Sequence, residues 1–193
     1  MKLKLIIALI LSIFPMFSIQ AQEAEWETQS ELISPESEVD YNLLASYLSQ
    51  KQWRKANDKT RELLLEAMER DAIGWARTED VEKLSCWDLN TIDQLWRESS
   101  NNRFGFSTQF PIYLETGNRP GKLIGDNVYN DFGDRLGWRA DGDWIIFIEN
   151  LNYSIDAPIG HFPNPRPEYS ITGGRLYYST IAQRMVECNI VRK

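Results

Sequence analysis

Histidine is nearly absent from this sequence, with His161 alone among 193 residues. One imidazole does not build a typical zinc site, and no acidic residue lies at helical spacing to it. No serine occupies a Gly-x-Ser-x-Gly elbow, and neither cysteine has cysteine-protease context. Phosphate-cradling loops are missing as well. Gly121-Lys122-Leu123-Ile124-Gly125 holds two glycines without the Walker spacing. Positive charge is scarce, because 21 Lys and Arg face 28 Asp and Glu for a formal charge of −7. That balance argues against nucleic acid or an anionic membrane surface as partner. Past the first twenty residues no long apolar run occurs, since Gly, Pro or charge interrupts each one. Carboxylates are abundant, but an acidic helical chain always offers pairs of them, so a glycosidase-type pair carries no signal. The residues hold no catalytic constellation.

What is present begins with Met1-Lys2-Leu3-Lys4 and an apolar stretch from Leu5 to about Ile19. Small Ala21 follows, which fits a secretory signal peptide over residues 1–21. Export to a periplasm or thylakoid lumen is the expectation, with membrane attachment only through an uncleaved signal. Losing Lys2 and Lys4 makes the chain still more acidic. Residues 22–40 carry seven acidic side chains and no basic one, and are expected to be a flexible linker. In an exported chain Cys86 and Cys188 invite a disulfide, while two buried thiols are the other reading. Sequence leaves both open.

The rest reads as mainly α, in one domain. Asp40 is expected to cap a helix in which Leu43, Leu44, Tyr47 and Leu48 share a face. A second helix is predicted over about Gln52–Arg70, with Trp53, Ala56, Thr60, Leu63, Leu64, Ala67 and Met68 at helical spacing. Gly74 breaks it. Thr78 reads as the cap of Glu79–Leu84, and Ser85-Cys86-Trp87-Asp88 as a capping box opening a helix that buries Leu89, Ile92, Leu95 and Trp96. Gly and Pro around residues 117–125 mark a surface loop. A short helix follows over 127–136, and Asp141-Gly142 signals a hairpin near 138–147. Residues 157–169 look irregular. An amphipathic helix with Leu176, Ile181 and Met185 inward closes a C-terminal extension spanning 164–193.

Aromatic content stands out, with seven Trp, eight Tyr and eight Phe. Trp53 and Trp96, at helical spacing, are expected in the core. Trp75 after Gly74, Phe104 and Phe106 around Gly105, and Trp138 and Trp144 around the turn are different. They fit either core packing or a flat apolar pocket for a planar ligand, with an Arg such as Arg77, Arg103, Arg139 or Arg175 meeting its carboxylates.

Four blocks resemble the genomes-uncoupled-four family, the porphyrin-binding accessory proteins of magnesium chelatase. They are Tyr41–Leu44 leading to Trp53–Ala56 and Thr60; Gly74-Trp75 with Asp80–Glu82; Asp88–Trp96 with Ser100–Gln109; and Gly137–Arg139 through Trp144 to Ala157–Pro163. The resemblance covers about residues 41–163. It implies an all-α, multi-helical domain shaped like a cupped hand, non-catalytic, with no permanent cofactor. It implies protoporphyrin IX or magnesium protoporphyrin as ligand, and a magnesium chelatase subunit as partner only if the chain is cytoplasmic. Carried over by position, a finger loop would supply Ile73, Trp75, Arg77 and Thr78. A palm would supply Trp144, Phe147, Leu151 and Tyr153, with Phe104 and Phe106 as scaffold beneath. Arg166 or Arg175 is the candidate for a basic C-terminal contact. Three departures stand out: Asn57 where the family usually has Asp, the insert Gly117–Asn127, and the export signal itself. Two other expectations follow, a module of the same fold for another ligand or a protein segment, and a secreted carboxylate-dependent hydrolase.

Overall fold

In the computed structural model, residues 32–146, 148–165 and 171–191 are described, with only the backbone of residues 148 and 171–176, and all fall in one unit. The signal-peptide expectation and residues 22–31 lie outside the described residues.

Helix α1 spans Asn42–Ser49 and α2 spans Trp53–Ala67. Tyr41 holds the N-cap position of α1, one residue beyond the expected Asp40, although Asp40 Oδ1 still accepts from the Asn42 amide at 2.8 Å. Leu44 and Leu48 are buried as expected, whereas Leu43 turns outward. Helix α2 buries Trp53, Ala56, Thr60, Leu63 and Leu64 and stops at Ala67, short of Arg70, because Glu69 takes a positive φ.

A single turn, α3 (Thr78–Val81), follows. Arg77, not Thr78, is its N-cap, and Glu79 and Asp80 sit in the first turn, where the helix dipole favours them. Helix α4 is Cys86–Ser99; Ser85 Oγ accepts from the amides of Trp87 and Asp88 at 3.1 and 3.3 Å. Only that half of the expected capping box forms. Asp88 Oδ1 instead accepts from Tyr41 Oη at 2.9 Å and Ser37 Oγ at 3.0 Å. Leu95, expected in the buried stripe, is only half-buried.

These Asp88 contacts correct the linker expectation for residues 32–40. Ile33 and Asp40 form an antiparallel bridge, Val39 and Ser34 are buried, and the Ser34 amide donates to the Val39 carbonyl at 2.9 Å. Acidic composition concealed a short strap fastened to α4 by a buried carboxylate. Burial, and then Asp88 beside it, push the Tyr41 phenol well above its ordinary pKa.

Helix α5 (Phe106–Glu115) has no counterpart in the sequence expectations. Pro111 inside it and the polar residues before it mask the helical pattern. Helix α6 is Asp126–Leu136, ended by Gly137 in the left-handed region. The expected hairpin forms: β1 (Arg139–Ala140) pairs antiparallel with β2 (Asp143–Trp144), and Asp141 and Gly142 both have positive φ. A 3₁₀ turn covers Ile148–Asn150, and α7 runs over Ile171–Glu187. Ile181 and Met185 are fully buried, as expected, and the side chain of Leu176 lies outside the described residues. The architecture is mostly helical with one small hairpin.

Two aromatic clusters form the core. In the first, Trp96 stacks between Trp53 and Phe162, with centroids 6.1 and 5.7 Å away, and Phe104 meets all three edge-on. In the second, Phe132 contacts Tyr113, Trp138 and Tyr178. Gln109, fully buried, lies at their junction. Its Nε2 donates to the carbonyls of Gly160 and Pro163, and its Oε1 accepts from Tyr178 Oη at 2.9 Å. Cys86 and Cys188 form a disulfide across 102 residues of sequence, which settles the question sequence left open.

Gly105 has φ +130°, its amide donates to the Phe162 carbonyl at 2.8 Å, and an added Cβ would lie 2.7 Å from Arg97 Cγ and 3.0 Å from Asp93 Oδ1. Backbone strain and overpacking together predict that Gly105→Ala loses about 2–4 kcal/mol of stability. Urea denaturation checks this; a midpoint equal to that of the natural chain would refute it.

Candidate functional site

The finger begins where α2 ends. With Gly74 at φ +79°, the chain reverses and holds Ile73 and Trp75 outward, 50% and 54% exposed. Exposed aromatic surface is costly, so something must hold it out. Arg70 does so: its guanidinium lies over the Trp75 ring at 5.2 Å and its Nε donates to the Trp75 carbonyl at 3.2 Å. The same Nε is 3.2 Å from Asp80 Oδ2. Asp80 also accepts from the Arg77 backbone amide at 2.8 Å and from the Arg77 guanidinium at 3.1 and 3.2 Å. Asp80 therefore clasps both ends of the finger, and the bonds from Arg77 hold its carboxyl down to about 2. The clasp is complete above the ordinary carboxylate value of about 3.8 and is lost only as pH falls toward 2.

Arg77, expected as a cation for a ligand carboxylate, is thus already paired with Asp80, and the half-buried Thr78 opens α3. Trp144 is packed rather than open. Its Nε1 donates to Asn130 Oδ1 at 3.0 Å, Arg139 lies over its ring at 5.3 Å, and a Cβ on Gly133 would overlap its ring carbons. Leu151 is 6% exposed and belongs to the core. Tyr153 is half-buried and stacks on Phe162 at 5.3 Å, with Arg54 5.9 Å from its centroid. Phe147 and the Arg175 side chain lie outside the described residues. Phe104 and Phe106 are fully buried, in keeping with scaffold.

The described members of the expected site do not come together: the finger, Trp144 of β2 packed against α6, Tyr153 stacked on the first aromatic cluster, and Leu151 in the core. Tyr153 sits beside Arg54 at the start of α2, whereas the finger leaves its other end, and fifteen helical residues extend about 22 Å. Three contributors were not singled out by sequence reasoning. Arg70 and Asp80 are ten residues apart across a turn, a spacing that no helical or strand period flags. Arg54 was visible only as part of the Trp53–Ala56 block.

His161 is buried. Its Nδ1 meets the Leu136 carbonyl at 2.5 Å, its own carbonyl accepts from Trp138 Nε1 at 2.7 Å, and burial lowers its pKa. Its place is structural, in the Gly160–Pro163 turn. An open groove of about 500 Å³ between α4, α5 and Ile190-Val191 shares no residue with the finger or Tyr153. Its polar lining is engaged internally, Arg97 Nε with Asn102, Ser107 with Asp93, and Thr108 with the Asn102 carbonyl. Among the described residues no group of His, Cys, Asp or Glu is arranged to hold a metal.

The domain is mostly helical, with one small hairpin and a half-exposed Trp75 on a clasped loop. The chain belongs to the GUN4-like family, whose pattern it matches over residues 34–173. That membership agrees with the expectation that this chain is not an enzyme. It is 31% identical over 127 residues to the Ycf53-like protein of Synechocystis, covering 65% of this chain and 51% of that protein. It is 31% identical over 139 residues to the chloroplastic tetrapyrrole-binding protein of Arabidopsis thaliana, covering 66% and 49%. The chain therefore spans about half the length of these curated relatives. The structure of GUN4 from Chlamydomonas reinhardtii is similar with a TM-score of 0.60 at 30% identity, covering 77% of this chain and 92% of that one. The ligand-free Arabidopsis thaliana GUN4 gives 0.58 at 22% identity over 74% and 93%, a likeness of fold.

Replacing Asp80 with Asn removes the charge that Arg70 and Arg77 share. Tryptic cleavage after Arg70 and Arg77 is expected to speed up by about two- to ten-fold as the finger opens locally. Timed digestion read by mass spectrometry checks this, and unchanged cleavage rates would refute the clasp.

Proposed function

We propose that this domain binds a porphyrin of the protoporphyrin IX or magnesium protoporphyrin class, with the finger, above all Trp75, against one face of the macrocycle. The observation that carries the reading is a half-exposed Trp75 held out by Arg70 in a member of this family. A flat aromatic ligand offers that indole the stacking surface it lacks in the free protein. The name of the Arabidopsis relative, a tetrapyrrole-binding protein, supports the same ligand class. Tyr153, stacked on Phe162, and Arg54 form a second aromatic and cationic pair. Propionate contacts would have to come from a cation less committed than Arg77, and Arg175 stays a candidate.

The titration that tests this uses deuteroporphyrin IX and follows tryptophan quenching. Saturable quenching at micromolar ligand is expected, and Trp75→Ala should weaken it about ten-fold while leaving the far-UV circular dichroism unchanged. Absence of saturable quenching by the natural chain would overturn the reading.

The same proposal places the protein outside the cytoplasm, as a porphyrin carrier or sensor. The apolar N-terminal stretch supports export, and so does a disulfide, since such bonds persist in oxidising compartments. Fractionation with N-terminal sequencing is expected to find a chain starting at Gln22 in the exported fraction. A cytoplasmic chain retaining residues 1–21 would overturn export and favour a role beside magnesium chelatase.

A further inference from the structure

We propose that the Cys86–Cys188 disulfide is a redox-sensitive clamp on the finger, so that reduction by a dithiol loosens Trp75 and weakens ligand binding. The functional consequence rests on the porphyrin reading; the mechanical coupling does not.

The path is continuous in named contacts. Cys188 lies one residue beyond α7, and the disulfide ties it to Cys86, the first residue of α4. Just before it, Arg184 Nε donates to the Leu84 carbonyl at 2.8 Å, so the end of α7 is also hydrogen-bonded to the segment between α3 and α4. Helix α7 packs on α3, and Val81, Leu84, Ile181 and Met185 are all fully or almost fully buried. Helix α3 carries Asp80, which holds Arg77 directly and Trp75 through Arg70. Coupling between sites travels through such packed, hydrogen-bonded elements when one of them can adopt two arrangements. The covalent tie keeps α7 seated on a helix of only four residues, too short to be stable by itself.

Neither cysteine residue is fully buried. A dithiol thiolate attacks one sulfur of the pair, the Cys86–Cys188 bond breaks, and the dithiol's second thiolate resolves the mixed disulfide. Two electrons and two protons move to the cysteines, which become thiols, and the dithiol becomes a disulfide. Cys188 and nearly all of α7 lie beyond the residues matched by the family, so the clamp is a property of this chain's own C-terminal segment.

The test uses the full chain, oxidised and after dithiothreitol, with hydrogen exchange and deuteroporphyrin IX titration read on the same samples. Reduction should raise exchange about ten-fold over residues 70–85 and α7, and leave α1 and the first turns of α2 unchanged. Porphyrin affinity should fall about ten-fold, a usual size for coupling between sites, and recover on reoxidation. The double variant Cys86→Ser/Cys188→Ser should match the reduced state without reductant. Unchanged exchange at 70–85, or a rise spread evenly over every helix, would overturn the clamp. If the finger responds but the oxidised chain takes up no porphyrin, the clamp is upheld and the porphyrin reading fails. Equal affinity in both redox states, with a finger that responds, would overturn the regulation.

Discussion

The side-chain amide of Gln109 is the constraint on which the rest of the structure depends. It is fully buried, and it reaches two backbone carbonyls of the 160–163 turn and the hydroxyl of Tyr178 on α7. A buried amide left with one bond unmade is costly, so the three partners must hold their places together. The turn so fixed places Phe162 between Trp96 and Tyr153, and thereby sets the surface on which Tyr153 lies. Gly105 completes the arrangement from the other side, since its amide binds Phe162 and no side chain fits between it and Arg97.

A second buried polar contact plays the same part at the N-terminal side. Asp88 receives the hydroxyls of Tyr41 and Ser37 and so draws the strap and α1 onto α4. Asn57 in α2 does likewise for the chain beyond the turn, its Oδ1 accepting from the Asn164 amide at 2.7 Å. Specific polar bonds choose the arrangement, and the aromatic clusters supply the burial.

Most of the fold was legible in the sequence, because helical spacing of apolar residues reports directly which face is buried. Helices α1, α2, α4 and α7 were readable in that way, and the hairpin from its Asp141-Gly142 turn signal. Helix α5 was not, because Pro111 and a polar approach hide its period. The strap was hidden by its charge, since Ser34 and Ser37 fold it through hydroxyl bonds rather than apolar surface. The site was legible only in part. Turn aromatics announced themselves, yet sequence could not separate Trp75, which faces solvent, from Trp144, which rests on Gly133. The difference lies in what surrounds each ring, and those neighbours come from elsewhere in the chain. Arg77 shows the same limit, because an arginine beside a candidate site reads as available until its carboxylate is seen.

The disulfide also divides the chain into two kinds of material. Everything from Cys86 to Cys188 is a closed covalent ring, while the strap, α1, α2 and the finger lie outside it, joined to it by one run of backbone, by packing and by hydrogen bonds such as those to Asp88 and Asn164. The exposed loop carrying Leu123 and Ile124 lies within that ring. A single cut in that loop would open the ring without releasing either piece. The segment that displays Trp75 has no such safeguard: a cut between Arg70 and Arg77 severs α1 and α2 from everything the disulfide holds. The exposed indole of Trp75 is therefore carried on a part of the chain whose continuity no second covalent link protects.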